Sequence, residues 1–119
     1  LHERLNADTL GLVDAPDLGR MKTTALLVNT SRAELVAPGA LAQALARGRP
    51  GFAAVDVYEA EPILGADHPL LRLPNVLCTP HIGYVEKDNY ERYFGIAFDH
   101  IRAFAAGTLT DVVNPEARR

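Results

Sequence analysis

The sequence predicts an α/β fold: a short parallel sheet, read as the second half of a larger doubly wound sheet, followed by a long C-terminal helix. Three observations carry this expectation. Strand-like and helix-like segments alternate along the chain, an order solved by parallel strands joined through right-handed crossovers. The strand-like runs are apolar without alternation, the pattern of strands covered on both faces. The strands are few and short, and a sheet of about three would leave its edges open, as half of a larger sheet does.

Each element has its own warrant. Residues 14–20, DAPDLGR, read as a short helix with Asp14 as cap and Pro16 in the first turn. The first strand follows as Ala25–Asn29. Pro38–Arg47 reads as a helix with Leu41, Ala44 and Leu45 on one apolar face and Gly48 as its stop. A second strand spans Phe52–Val57, and residues 59–75, with three prolines, are mostly loop. A third strand is Val76–Thr79, closed by Pro80. Tyr90, Tyr93, Phe94, Ala97, Ile101 and Phe104 recur at helical steps, giving a long helix over Lys87–Ala106 whose aromatic residues read as packing groups. Gly107 ends it, and the tail from residue 108 is expected to be extended.

Length and composition bound the function. The 119 residues suit one core, and 48% hydrophobic with 23% charged residues is ordinary for a globular protein. A net charge of −3 gives no footprint for nucleic acid. The single cysteine, Cys78, allows no internal disulfide and fits a reducing cytoplasm. No apolar run approaches the roughly 18 residues of a membrane span, and the N-terminus lacks the plan of a signal peptide. The chain opens on Leu1, mid-pattern, as if cut from something longer.

In open α/β sheets, ligands bind beyond the carboxyl ends of the strands. After the first strand stand Thr30, Ser31 and Arg32; after the second, Tyr58, Glu59 and Glu61, with Asp56 near its end; after the third, His81 and Gly83. His2 would follow a strand lying before residue 1. A guanidinium, carboxylates and an imidazole are thus delivered to one edge. A carboxylate beside an imidazole orients the ring and favours its charged form, making a general acid near neutral pH. An arginine fork can hold a carboxylate through two hydrogen bonds. Such a set suits reduction of a 2-oxo acid, with hydride from a cofactor because no side chain supplies one. The histidines show no ligand spacing, so no metal site is expected. His68 reads as a local turn residue and His100 as solvated.

Three ordered stretches resemble the D-isomer-specific 2-hydroxyacid dehydrogenases: LVNTSRAELV, AAVDVYEAEP and DHPLLRLPNVLCTPHIG. Arg32 to Glu61 is 29 residues and Glu61 to His81 is 20, similar to that family's spacing. The resemblance runs over essentially the whole chain. It implies a partial Rossmann-like NAD-binding domain over residues 1–84 and, over 85–119, the helix and tail that return to the substrate domain. It implies NAD or NADP as cofactor and a small 2-oxo or 2-hydroxy acid as substrate. Position by position, Arg32 corresponds to the arginine that binds the substrate's carboxylate and carbonyl. Glu61, before a proline, corresponds to the acid paired with the histidine and is preferred over Glu59. His81 corresponds to the proton donor. Asp56 corresponds to the residue near the nicotinamide carboxamide, while Thr30 and Ser31 lie in the segment lining that pocket. His2 corresponds to a residue passing the cofactor's ribose side. The cofactor-binding set is thus His2, Thr30, Ser31, Arg32, Asp56, His81 and Gly83.

Two departures stand out. Ala33 replaces the family's usual glycine, at a cost of about 1 kcal/mol if the position needs positive φ. No two glycines stand two apart, so the Gly-x-Gly-x-x-Gly phosphate turn is absent from this sequence. The expectation is therefore a fragment of an NAD(P)-dependent oxidoreductase, inactive by itself. Two alternatives remain: a non-enzymatic NAD-binding relative of the corepressor type, or an inactive half-domain that self-associates through its open edge. A homo-oligomer, a dimer, is expected.

Overall fold

A computed structural model describes residues 1–108 and 112–117. The chain forms two units, Leu1–Gly83 and Tyr84–Arg119. In the first, helix α1 (Ala15–Arg20) is started by a capping box: Asp14 accepts from the Asp17 N–H, and the Asp17 side chain accepts from the Asp14 N–H. Strands β1 (Leu26–Asn29), β2 (Phe52–Val55) and β3 (Val76–Cys78) form a parallel sheet in that order. Helix α2 (Ala40–Ala46) links β1 to β2. It starts later than the sequence suggested, because Gly39 takes a left-handed conformation (φ 69°) that leaves Pro38 outside. A short 3-10 turn, Pro69–Arg72, interrupts the loop before β3.

The register pairs Leu26 with Phe52, and Val28 with Ala54 and then Leu77. Because side chains alternate, this register sorts the sheet into two unlike faces. Leu27, Ala53 and Val55 point into a core with Leu18, Leu41, Leu45 and Leu70. Leu26, Phe52 and Leu77 are more than half exposed. The continuous apolar runs predicted cover on both faces; here one face is covered and the other is open.

The second unit holds α3 (Lys87–Ala105), capped by the Glu86 carboxylate on the N–H groups of Asp88 and Asn89. Its aromatic residues were expected to pack, yet none is buried. They contact one another instead: Tyr84 stacks with Tyr90 at 6.3 Å and Tyr90 meets Phe94 at 5.5 Å. The expected extended tail holds a 3-10 turn at Pro115–Ala117, and its residues 109–111 and 118–119 lie outside the described residues. Among the described residues no helix is long and apolar enough to cross a membrane.

Candidate active site

Each strand hands its last residues to the same edge of the sheet. At the end of β1, Asn29 is 2% exposed and builds the turn itself. Its Oδ1 accepts from the Ser31 N–H (3.1 Å) and its Nδ2 donates to the Arg32 carbonyl (2.9 Å). This Asx-type turn releases the chain from the strand and fixes the Arg32 backbone. Ala33 then opens a 3-10 turn, Ala33–Leu35, and is not among the residues with positive φ, so no glycine is required there.

Beyond β2, Asp56 is 3% exposed and both its oxygens are engaged. Oδ1 accepts from Thr79 Oγ1 (2.5 Å) and the Ile82 N–H (2.9 Å), and Oδ2 accepts from the Gly83 N–H (2.7 Å). Burial pushes this carboxyl up, but those three donors and the nearby His81 outweigh it and hold it below the usual 3.8. Asp56 therefore pins the loop that follows β3. In that loop His81 adopts φ 54°, a left-handed conformation that costs a non-glycine residue about 1–3 kcal/mol and marks functional sites. Gly83 is required by this packing, since a Cβ there would lie 2.9 Å from Asp56 Oδ2.

The pinned loop brings His81 Nδ1 to 2.5 Å from Glu61 Oε2. The other Glu61 oxygen accepts from the Tyr58 N–H (2.8 Å), and the Tyr58 hydroxyl donates to the Thr79 carbonyl (3.0 Å). Burial raises the Glu61 carboxyl, while the hydrogen bond from His81, the Tyr58 N–H and the charge of His81 lower it more. The net result is a carboxylate held below its ordinary 4.5, an anion at neutral pH. An imidazole oriented this way can exchange a proton through its other nitrogen.

The rival acid, Glu59, is placed elsewhere. Its Oε2 lies 3.0 Å from His68 Nε2, while His68 Nδ1 accepts from the Leu70 N–H (3.3 Å). With Nδ1 taken by the backbone donor, Nε2 is the nitrogen that reaches Glu59, and the pair ties the loop locally, as the local-turn reading of His68 expects.

Asp56, Glu61, His81 and Gly83 are thus gathered between the ends of β2 and β3. Arg32, Ser31 and His2 line a different cavity, of about 400 Å³, to whose walls His81, Glu61 and Asp56 do not belong. Thr30 is exposed at the end of β1. The sequence reading did not single out Thr79, Tyr58 or Asn29 as positioning groups. Only Asn29 carried a signal, in the Asn-x-Ser turn pattern after an apolar run.

A parallel sheet with polar groups collected at its carboxyl edge defines a class, the Rossmann-like α/β domains. The model of the D-isomer specific 2-hydroxyacid dehydrogenase NAD binding domain matches residues 1–83. The chain belongs to this family, whose cofactor is NAD(P). It is 36% identical to a hydroxypyruvate reductase of Blautia hydrogenotrophica over 114 residues, covering 96% of this chain and 35% of that protein. It is 38% identical to a glyoxylate reductase of Aeropyrum pernix over 117 residues, covering 98% and 35%. A crystal structure of an oxidoreductase from Ralstonia solanacearum superposes with a TM-score of 0.90 at 56% identity, covering 99% of this chain and 34% of that one. The chain therefore spans about a third of the length of the relatives it matches.

Proposed function

We propose that this chain carries the proton-transfer and carboxylate-binding groups of an NAD(P)-dependent oxidoreductase that interconverts a small 2-oxo acid and its 2-hydroxy acid. The observation that carries the reading is the Glu61–His81 pair at 2.5 Å, on a backbone strained at His81 and pinned by Asp56. Relatives named as hydroxypyruvate and glyoxylate reductases favour this substrate class. His81 holds the transferable proton on Nε2 and gives it to the carbonyl oxygen in reduction, taking it back in oxidation. Glu61 fixes the ring through Nδ1. Arg32 takes the substrate's carboxylate through its guanidinium fork.

The residues present fit the nicotinamide end of the cofactor. A carboxylate offers about four acceptor sites. Thr79, Ile82 and Gly83 use three of those on Asp56, which leaves Oδ2 able to accept a carboxamide N–H. Thr30, Ser31 and Gly83 flank the same edge, and His2 stands beside Arg32. When bound, the nicotinamide supplies or receives the hydride. The glycine phosphate turn is absent from this sequence, so the 119-residue chain by itself is expected not to turn over.

The test is a chimera in which this chain replaces its equivalent third of the Ralstonia oxidoreductase. NADH-dependent reduction of glyoxylate or hydroxypyruvate is expected. His81→Gln should lower kcat by about 10²–10⁴. Arg32→Gln should act mainly on KM for the oxo acid. A folded chimera without reduction, or one indifferent to His81→Gln, would sink the reading.

A further inference from the structure

Arg32 shares its cavity with a second guanidinium. The walls are His2, Glu3, Arg4, Leu5, Ser31 and Arg32, and the volume, about 400 Å³, lies within the roughly 300–1,000 Å³ of small-molecule sites. Among the described residues neither arginine has a carboxylate partner. Arg32 Nη1 donates to the Ser31 carbonyl (2.7 Å), while Arg4 engages Glu3 through its backbone N–H alone (2.9 Å). Even with Glu3 counted, the lining is net positive. Two guanidiniums lining one cavity repel each other, and an anion held by either relieves the repulsion.

The position of Arg4 identifies the anion it holds, apart from the substrate carboxylate assigned to Arg32. The Ala25 and Asn29 carbonyls accept from the Phe52 and Asp56 N–H groups, so alternate carbonyls of β1 face β2. The Val28 carbonyl faces the other way, and the Leu1 amino group donates to it. Ser31 Oγ donating to the Glu3 carbonyl (2.7 Å) holds the next residues alongside. Residues 1–4 therefore run on the side of β1 away from β2, while His81 follows β3 at the far side of the sheet. Neighbouring strands lie about 4.8 Å apart, which separates the two segments by about 14 Å. A small 2-oxo acid does not span that distance. A dinucleotide laid along the carboxyl edge with its reacting ring at His81 does, and phosphate is the anion it carries there.

We propose that Arg4, at the end of the first segment, binds a phosphate group of the dinucleotide. The inference rests on the reading of His81 as the reacting end of the site. The pyrophosphate and a 2′-phosphate offer the same chemistry, and the test separates them.

The full chain, isotope-labelled at arginine, is titrated with ADP-ribose, 2′-phospho-ADP-ribose and adenosine while the side-chain Nε–Hε resonances are followed. Arg4 is expected to move with ADP-ribose and not with adenosine. Arg4→Gln should weaken ADP-ribose at least about tenfold, the scale of a charge-assisted hydrogen bond, with Arg4→Lys recovering part. Tighter binding of the 2′-phosphorylated form assigns the 2′-phosphate, and equal binding assigns the pyrophosphate. An Arg4 resonance unmoved by either ligand, or equal ADP-ribose affinity in Arg4→Gln with a dispersed amide spectrum, overturns the proposal. ADP-ribose contains neither nicotinamide nor oxo acid. A positive result here beside an inactive chimera would therefore fail the oxidoreductase reading alone.

Discussion

Asp56 organises the site as an internal acceptor. Three of this chain's own donors converge on it, from Thr79, Ile82 and Gly83, and the loop they define holds His81 at φ 54°. Removing the charge leaves those donors with a poorer acceptor, a loss of about 1–3 kcal/mol. Asp56→Asn is thus expected to lower the urea midpoint and to loosen the Glu61–His81 pair. The pH dependence follows from the lowered carboxyl. Stability from Asp56 is present above its ordinary 3.8 and is lost as pH falls through the still lower folded value. Urea titrations at a series of acidic pH values should show a steep acid limb in the wild type and a shallower one in Asp56→Asn. An identical limb would mean that other carboxylates set it.

Among the elements, the β1–β2 pair is the most tightly constrained. A Cβ on Gly51 would lie 1.8 Å from the Thr23 carbonyl oxygen, a backbone atom. That overlap cannot be relieved by a side-chain rotation, so the two segments must part. Gly51→Ala is expected to cost about 3 kcal/mol or more, read as a fall in the thermal midpoint or as loss of the folded protein. Gly48→Ala serves as the comparison, with open space at its Cβ position but φ 78°. It should cost only the left-handed backbone penalty, about 1–2 kcal/mol. Equal losses at the two positions would mean that the close approach at Gly51 relaxes easily. The helices show the same dependence on neighbours. Residue spacing located α2 and α3, yet Gly39 moved the start of α2, and the apolar stripe of α3 found no burial within its unit.

At the scale of the molecule, the open sheet face dominates. Leu26 is 57% exposed, Phe52 53% and Leu77 65%; the register pairs Leu26 with Phe52 and sets Leu77 in the next row of the same face, opposite Ala54 and Val28. A contiguous apolar surface of this kind promotes association. Sedimentation of the chain over a range of concentrations is expected to show self-association, reduced in the double variant Phe52→Lys/Leu77→Lys. A concentration-independent monomer would contradict this. The oligomer would also provide a reason for stability in a chain that spans about a third of its relatives' length.

The sequence by itself determined the element order, the parallel sheet and the family, because apolar periodicity, turn residues and the three ordered stretches are local properties of the chain. It also singled out Glu61 over Glu59, through the proline that follows. Tertiary structure decided the partners. That Glu61 meets His81 while Glu59 meets His68 depends on how the loop folds back after β2. That Asp56 accepts from Thr79, Ile82 and Gly83, and that Arg32 and Arg4 line one cavity, depends on which strand ends lie next to each other. The Glu61–His81 pair and the three bonds to Asp56 join residues 20 or more positions apart, and sheet order and register, which bring them within a few ångströms, are collective properties of the packed core.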